Sequence, residues 1–450
     1  MQFQISREFI EKIENLVEDK NNKELLVQFE NMHHADIAET LEDLSLDDAT
    51  YVIKLLESDK TAEVLMELDE EDREKVLNNL SAKEIAEEIE EMDTDDAADI
   101  VGELSPEVKE LVISHIEDEQ HADDIVDLLR YEENSAGGLM AKELVKVNEN
   151  WSVTGCMSEM RQQAENVTRV HSIYVVDNKN KLKGRLSLKD LITAPSTAQI
   201  SDVYIAQVDY VSVDTKGEEV ARIMQKYDLE AIPVVNEMGK LVGRITIDDI
   251  LDFIREEAEK DYQMAAGISE DVEADSSIWQ LTRARLPWLI LALLGGFISV
   301  NVLETFDEAM EKHGALFFFV PLIAAMAGNV GVQSSAIVLQ GLANGSLRGS
   351  LLNRLLKEVL LSLFNGFVLA GLLVLGGVFL LNLDFDFGLT VAISLISVII
   401  TASLIGTFVP IILDKQGIDP AMATGPFITT SNDICGILIY FSIAKWILGF

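Results

Sequence analysis

The chain has 450 residues, 77 acidic against 35 basic, and a net charge of −42. Nucleic-acid phosphates and anionic lipid headgroups both demand Lys and Arg, so neither is an expected partner. The charge is uneven: residues 281–450 hold 8 basic and 10 acidic residues, which leaves about −40 on the first 280. A chain of this length accommodates two or three domains. Cys156 and Cys435 lie far apart with no C-x-x-C spacing. A disulfide framework or thiolate zinc site is therefore not expected, and a reducing cytosol suits the front part. Residues 1–30 are amphipathic and charged, without the apolar core of a signal peptide.

The first expected elements are short helices with a period of 24. Leu44-Ser-Leu-Asp-Asp48, Leu68-Asp-Glu-Glu-Asp72 and Met92-Asp-Thr-Asp-Asp96 each open an amphipathic helix. Apolar positions recur in step at Val52, Val76 and Ile100, then at Leu56, Leu80 and Leu104. Acids crowd the first turns, where the helix dipole favours them, and Ser81 with Glu84 has capping-box spacing. Stacked helices of this kind make a small solenoid. On its helix Asp95 lies one turn from Asp99, with Asp96 adjacent.

A second repeat follows at a spacing of 59. Ile173-Tyr-Val-Val-Asp-Asn-Lys-Asn-Lys-Leu-Lys-Gly184-Arg-Leu-Ser-Leu-Lys-Asp190 aligns without gaps on Ile232-Pro-Val-Val-Asn-Glu-Met-Gly-Lys-Leu-Val-Gly243-Arg-Ile-Thr-Ile-Asp-Asp249. Each copy reads as a buried strand, a polar turn, a second strand, and a helix opened by Ser187 or Thr246 with an acid three residues on. Residues 135–257 resemble a tandem CBS pair, an α/β arrangement. In that family the cleft between repeats often holds an adenine nucleotide. The resemblance implies ribose contact at Asp190 and Asp249, and a base held near Tyr174, Leu229 and Pro233. A CBS pair acting only as a dimerising hinge is the alternative.

From Asp248 to Asp261 acids fall on successive helical turns. Most are solvated surface. A subset facing one another across domain contacts would bind Mg²⁺ or Ca²⁺, which take hard oxygen ligands. There is no EF-hand loop, so such sites would be assembled between domains.

Five apolar stretches near 286–303, 315–340, 358–382, 388–413 and 424–448 approach the length that spans a bilayer as helix, about 20 residues. Gly295-Gly296, Gly328, Gly331, Gly371 and Gly376-Gly377 permit close helix packing. Arg283 and Arg285 precede the first stretch, and Arg348, Arg354 and Lys357 fill the second loop. Glu304, Asp307, Glu308 and Glu311 occupy the first loop and Asp384 and Asp386 the third, while the fourth offers Lys415. By the positive-inside rule the N-terminal body is expected in the cytoplasm and the C-terminus outside. Asp433 lies inside the last stretch. A carboxylate at membrane depth usually marks an ion path, the alternative being a packing Asp bonded to a neighbouring Thr or Asn. Five spans are few, so a path is expected to need a symmetric dimer.

The order of these parts resembles the MgtE magnesium-channel family: acidic helical domain, CBS pair, connecting helix and five spans. Pro321-Leu-Ile-Ala-Ala-Met-Ala-Gly328-Asn329-Val-Gly331-Val-Gln333-Ser334 and Asp419-Pro420-Ala421, followed by Pro426 and Thr429-Thr430-x-x-Asp433, carry the likeness. The expected fold is a multidomain α plus α/β membrane protein. Its parts are a helical N-terminal solenoid (1–134), two CBS domains (135–198 and 199–260), a connecting plug helix (261–285) and a five-helix transmembrane bundle (286–450).

The resemblance implies a homodimeric Mg²⁺ channel in the cell membrane, closed by intracellular Mg²⁺. Asp433 would hold hydrated Mg²⁺ on the dimer axis, and Asp419 would meet the plug at the cytoplasmic mouth. Asp95 and Asp99 would be N-domain sensor ligands. Glu218, Asp228, Asp249, Asp252, Glu257 and Asp261 would bind bridging Mg²⁺ on the CBS pair and plug. Asn329, Gln333, Gly425, Pro426, Thr429 and Thr430 would line the pore. Gly425 departs from members with Asn there, and Lys260 interrupts the acidic run.

The physical expectation is that acidic faces repel until Mg²⁺ draws them together and the plug closes the pore. No enzyme activity is expected. An intramembrane metalloprotease needs His-Glu-x-x-His in a span, and all six histidines lie outside the spans. An acidic pore disfavours anions. A non-transporting scaffold stays open, and Co²⁺ or Mn²⁺ as cargo is the strongest rival, because carboxylates discriminate poorly.

Overall fold

The computed structural model describes residues 5–450 apart from 165–166, 168, 271, 273–275, 348, 382–383 and 424. Arg348, the last residue of the expected 358–382 span and the first of the expected 424–448 span thus lie outside the described residues. The chain forms two compact units, Met1–Arg255 and Glu256–Phe450.

The first unit begins with ten helices, from α1 (Arg7–Glu18) to α10 (Glu119–Leu128). The 24-residue period contains two helices. The expected openings begin α4 (Leu46–Ile53), α6 (Glu70–Leu77) and α8 (Thr94–Glu103), and α5 (Ser58–Glu67), α7 (Ala82–Ile89) and α9 (Pro106–His115) alternate with them. The intervening helices are eight to ten residues long, like those that alternate with them. Ser81 accepts from Glu84 N–H while Glu84 accepts from Ser81 N–H, the capping box that its spacing suggests. Val52, Val76 and Ile100 are buried, and Leu56, Leu80 and Leu104 pack at the margin of the same core.

Two small sheets follow. β1 (Val145–Asn148) pairs parallel with β2 (Ile173–Val176), which pairs antiparallel with β3 (Leu182–Leu186). β4 (Val211–Ser212), β5 (Ala231–Val235) and β6 (Leu241–Thr246) repeat that order. The gapless alignment extends to the turns. Asn180 and Gly239 hold the same repeat position, and both take positive φ, 59° and 74°. These turns also clasp each other, Leu182 N–H donating to Gly239 O at 3.2 Å and Leu241 N–H to Asn180 O at 3.0 Å. The second sheet shares one core with the helices, joining Val234 and Ile245 to Ile100, whereas the first sheet has a separate core around Val145, Ile173 and Leu186.

After α11 (Val153–Gln163), the two repeats end differently. α12 (Leu188–Thr193) stops before Ala194-Pro195, since the residue before Pro disfavours helix. α13 (Gly217–Tyr227) precedes β5, and α14 (Ile247–Ala266) then runs for 20 residues without a breaker until Gly267, at φ 83°. The segment 261–285 is therefore not a single connecting helix. Ser277 and Gln280 form a capping box that opens α15 (Ile278–Glu304), so Arg283 and Arg285 belong to the first apolar helix. The boundary expected at 260 falls inside α14.

The second unit carries five helices long and apolar enough to cross a membrane, among the described residues. They are α15, α17 (Val320–Ala343, preceded by the short α16, Asp307–His313), α18 (Leu351–Leu381), α19 (Phe385–Lys415) and α20 (Gly425–Leu448). α19 packs against α17, α18 and α20, and α15 packs on α20. Glycines set the closest approaches: a Cβ at Gly406 would lie 2.3 Å from Gly331 O, and one at Gly295 would lie 1.9 Å from Thr430 Cγ2. Small residues at such crossings let backbones approach where no water drives helices together.

Ile100 is fully buried in the core that joins the helices to the second sheet. Ile100→Ala is expected to destabilise the first unit by about 2–5 kcal/mol, measured as a lowered denaturation midpoint at unchanged slope.

Candidate metal sites

In the first unit the acids converge on the N-terminus of α8. Asp93 is its N-cap residue, and Asp95 and Asp96 stand in its first turn. Glu143 reaches across and accepts from Thr94 Oγ1 at 2.8 Å and Thr94 N–H at 3.2 Å, while Lys142 N–H donates to Thr94 Oγ1 at 2.9 Å. Thr94 thereby fastens the helical part to the start of the repeats. Carboxylate oxygens of Asp93, Asp95 and Glu143 lie within 4.8 Å of one another. Asp249, at the start of α14, accepts from Thr246 N–H at 2.9 Å and Thr246 Oγ1 at 2.7 Å and adds its field to theirs. The guanidinium facing them is Arg244, 3.7 Å from Asp93 Oδ2 and donating to Arg169 O.

Burial is the main cause of the electrostatics here. It pushes Asp95 well above the ordinary carboxylate range, with Asp96, Asp249, Asp93 and Glu143 adding to the rise. Burial, then Asp249 and Asp93, pushes Asp96 up to about 7. Asp93 and Asp249 are raised by the same cause, with Arg244 opposing. The dipole of α8 favours negative charge at this end without cancelling the loss of water. An oxygen-only, strongly anionic, partly dehydrated pocket fits a hard divalent cation.

The other expected ligands are more dispersed. Asp99 lies one turn along α8, exposed, its charge acting on Asp96 and on Arg73. Glu218 opens α13, Asp228 ends it in the left-handed region at φ 50°, and Asp252 is on α14; all three are exposed. Glu257 and Asp261 lie further along α14, in the second unit. Asp93 and Glu143 were not foreseen. Asp93 could have been found as an acid at a helix cap beside Asp95; Glu143, 48 residues away from Asp95, carries no signal in the sequence.

The nucleotide residues divide. Asp190 accepts from Ser187 Oγ at 2.6 Å and caps α12, while Pro233 lies on β5. Tyr174 does not face an open cleft. It is 2% exposed, packed among Val176, Leu241, Leu144 and Leu182, because every residue of β2 is covered.

In the second unit Asp433 lines a cavity of about 400 Å³ between α15 and α20. Gly425, Thr429 and Asp433 recur every four residues along α20, so they share a face, and Gly295, Gly296 and Ser299 of α15 stand opposite. Thr429 Oγ1 donates to Gly425 O at 3.0 Å. A Cβ at Gly328 would lie 3.2 Å from Thr429 Cγ2 and 3.8 Å from Asp433 Oδ1, so α17 also approaches closely. Among the described residues, no basic side chain lines the cavity. Asn329 and Gln333, one turn apart on α17, are exposed on the single chain. Asp419 accepts from Ala421 N–H at 2.7 Å and caps the turn before α20.

The end of α14 meets α20 within this unit. A Cβ at Gly425 would lie 2.5 Å from Ala265 O, and one at Gly267 would lie 2.5 Å from Pro426 Cγ. Gly425, which departs from family members with Asn there, lets main chain pack directly against the start of α20. One membrane acid was missed: Glu358 of α18, which accepts from Ser334 Oγ at 2.7 Å. It sits at the edge of its apolar stretch in sequence but two turns inside the helix.

Two outcomes follow from this geometry. The raised acids hold protons in the folded state that the unfolded chain has already released, so folding stability falls as pH rises from about 4 through about 7. In chelator, the unfolding temperature is expected to drop between about pH 5 and about pH 8, and ~10 mM Mg²⁺ to abolish the drop. Asp96→Asn should flatten the profile; a chelator profile already flat in the parent contradicts the cluster. Separately, Gly425→Asn must displace Ala265, and is expected to raise hydrogen exchange at the end of α14 without changing exchange in α8.

The sequence matches the family described as MgtE, Divalent cation transporter, over residues 320–443. It matches the MgtE intracellular N domain over 32–134, and the CBS domain over 136–197 and 200–256. It is 37% identical to the magnesium transporter MgtE of Thermus thermophilus over 328 residues, 71% of this chain and 72% of the relative. The Bacillus subtilis magnesium transporter MgtE is 36% identical, over 70% of each chain. Among solved structures, the cytosolic domain of the Mg²⁺ channel MgtE in complex with ATP matches with a TM-score of 0.52 and 34% identity, covering 54% of this chain and 99% of that one. The soluble part of a magnesium transporter matches at 0.51 and 28% identity, covering 56% and 98%. With its helical domain, CBS pair and five membrane-length helices, the chain is a multi-pass membrane protein that belongs to the MgtE family of divalent cation transporters.

Proposed function

We propose that the chain is a Mg²⁺-selective channel mediating Mg²⁺ uptake across the cell membrane, closed when cytosolic Mg²⁺ binds its acidic faces. The carrying observation is the Asp433 cavity, where, among the described residues, a carboxylate, two threonines and no basic residue meet between membrane-length helices. Mg²⁺ sheds water reluctantly, so a carboxylate acting through the water shell suits it better than a tight cage. The N-terminal body is cytoplasmic in this reading and the C-terminus outside.

The pore is formed by two copies. Asn329 and Gln333 are polar and exposed on membrane helix α17, and hydrocarbon offers them no hydrogen bonds, whereas a partner copy or an aqueous path does. Asp433, Thr429, Thr430, Pro426 and Gly425 line that path, and Asp419 stands at its mouth.

Closure uses the acids of the first unit. Asp95, Asp249, Asp93 and Glu143 bind Mg²⁺ at the α8 terminus, with Asp99, Glu218, Asp228, Asp252, Glu257 and Asp261 contributing further sites. The contact of α14 with Gly425 and Pro426 is the closed pore entrance. Mg²⁺ stabilises the compact arrangement only, so closure follows cytosolic concentration by mass action. ATP at the CBS pair rests on Asp190, Leu229 and Pro233 and on the ATP complex of the similar cytosolic domain; Tyr174 would have to leave the core to join them.

The test is current through excised inside-out patches while cytosolic Mg²⁺ is titrated from zero to ~10 mM. Current that disappears as Mg²⁺ rises, with selectivity altered by Asp433→Ala, is expected. Current carried equally well by Co²⁺ or Mn²⁺ would leave a general divalent channel. Current indifferent to cytosolic Mg²⁺ would remove the sensor, and absent current the channel.

A further inference from the structure

The Asp433 cavity has a second wall, on α15, and packing does not account for one of its residues. A Cβ at Gly295 would lie 1.9 Å from Thr430 Cγ2, so the crossing of α15 and α20 requires a glycine there. A Cβ at Gly296 would meet nothing within 4 Å. Glycine inside a helix is less favourable than alanine, and at Gly296 no close approach offsets the difference. What this residue faces is open volume: Ala292, Gly296 and Ser299 line the cavity together with Asp433.

These three recur at i, i+4 and i+7 and share one face of α15. Leu293, Leu294 and Phe297 are exposed on the other faces and do not line the cavity. Ser299 supplies the hydroxyl of this wall. Thr282 on the same helix and Thr429 across the cavity each donate to a carbonyl one turn back, at 2.6 and 3.0 Å. Ser299 Oγ makes no hydrogen bond among the described residues. Its bonding capacity is left to whatever fills the cavity.

We propose that this face of α15 sets the size of the ion site: Gly296 leaves room for the water shell of a divalent cation held by Asp433, and Ser299 Oγ accepts from that shell. The inference deepens the transport reading and rests on it for the identity of the ion. Mg²⁺ is octahedral and dehydrates reluctantly, and six waters occupy about 180 Å³ as liquid. The cavity, about 400 Å³, admits the ion with that shell intact. Waters bound to a cation turn their hydrogens outward, so the groups that meet them must accept. A carboxylate and a hydroxyl both have that capacity. A branched side chain at position 296 would occupy the space of the shell, and the ion would have to shed water to stay beside Asp433.

The experiment is thiol labelling of the full-length protein in membranes, with Cys156→Ala and Cys435→Ala removing the native thiols. Ala292→Cys reports on the cavity and Leu294→Cys on the far side of α15, each treated with a small cationic thiosulfonate while Mg²⁺ is titrated. Thiolate forms in water and not in lipid, so Ala292→Cys is expected to react and Leu294→Cys to stay nearly inert. Mg²⁺ is expected to protect Ala292→Cys, and Asp433→Asn to abolish the protection. Gly296→Val, which meets open space and is expected to unfold at the parent temperature, should raise the half-protecting Mg²⁺ concentration at least ~10-fold, because shell water must be shed. Ser299→Ala should raise it about 2–10-fold, the worth of one neutral hydrogen bond. Ala292→Cys as inert as Leu294→Cys, or protection that survives Asp433→Asn, would overturn the proposal. So would parent-like protection in both Gly296→Val and Ser299→Ala, and in one of them alone it would remove that residue from the wall. Mg²⁺ current in the patch experiment is read separately: protected labelling without current keeps the site and removes the channel, and current with unprotected labelling does the reverse.

Discussion

Repulsion among carboxylates held close together is the constraint around which the first unit is organised. Asp93, Asp95 and Glu143 bring their oxygens within 4.8 Å, and Asp96 and Asp249 act on them from either side. Two unit charges about 4 Å apart repel by about 4 kcal/mol at an effective dielectric of 20, several times the worth of a surface ion pair. Arg244 cannot balance that, since it meets Asp93 at 3.7 Å and only at one edge. The shared core from Ile100 to Val234 and Ile245 holds the two sides together against it. A fold that buries like charges beside a strong hydrophobic contact responds to whatever neutralises them, whether proton or divalent ion.

The membrane unit separates its charges differently. Asp433 faces a cavity between α15 and α20, and Glu358 of α18 accepts from Ser334 of α17. Glycine makes both arrangements possible, by admitting Thr430 against Gly295 and Asn432 against Gly331. Where helices lack hydrophobic drive between them, such close crossings and buried hydrogen bonds fix the bundle. The same small residues set Asn432 of α20 against Gly331 of α17, and Gly331 against Gly406 of α19, so the packing of three helices depends on one set of positions.

Much of the architecture could be read locally. The 59-residue repeat located both sheets, down to Asn180 and Gly239 taking positive φ at matching turns. The capping box at Ser81 and the buried positions Val52, Val76 and Ile100 follow from spacing alone. Helix termini were less legible where a single residue decides. Gly267 ends α14 and Ser277 opens α15, so 261–285 divides between two helices.

The sequence by itself determined the segregation of charge, the two repeats, the five apolar helices and Asp433 within the last of them, because each is a pattern of neighbours along the chain. Only the tertiary structure decided which acids matter. Asp47-Asp48, Glu71-Asp72 and Asp95-Asp96 occupy the same place in successive repeats. Asp48 takes the Ser45 hydroxyl and Asp72 takes Lys75, near the surface. Asp95 is buried, facing Glu143 and Asp249, which are distant in sequence and supplied by another part of the fold. Loss of solvent and charge at close range depend on distance in space, and three similar local patterns acquire different chemistry when only one of them is covered.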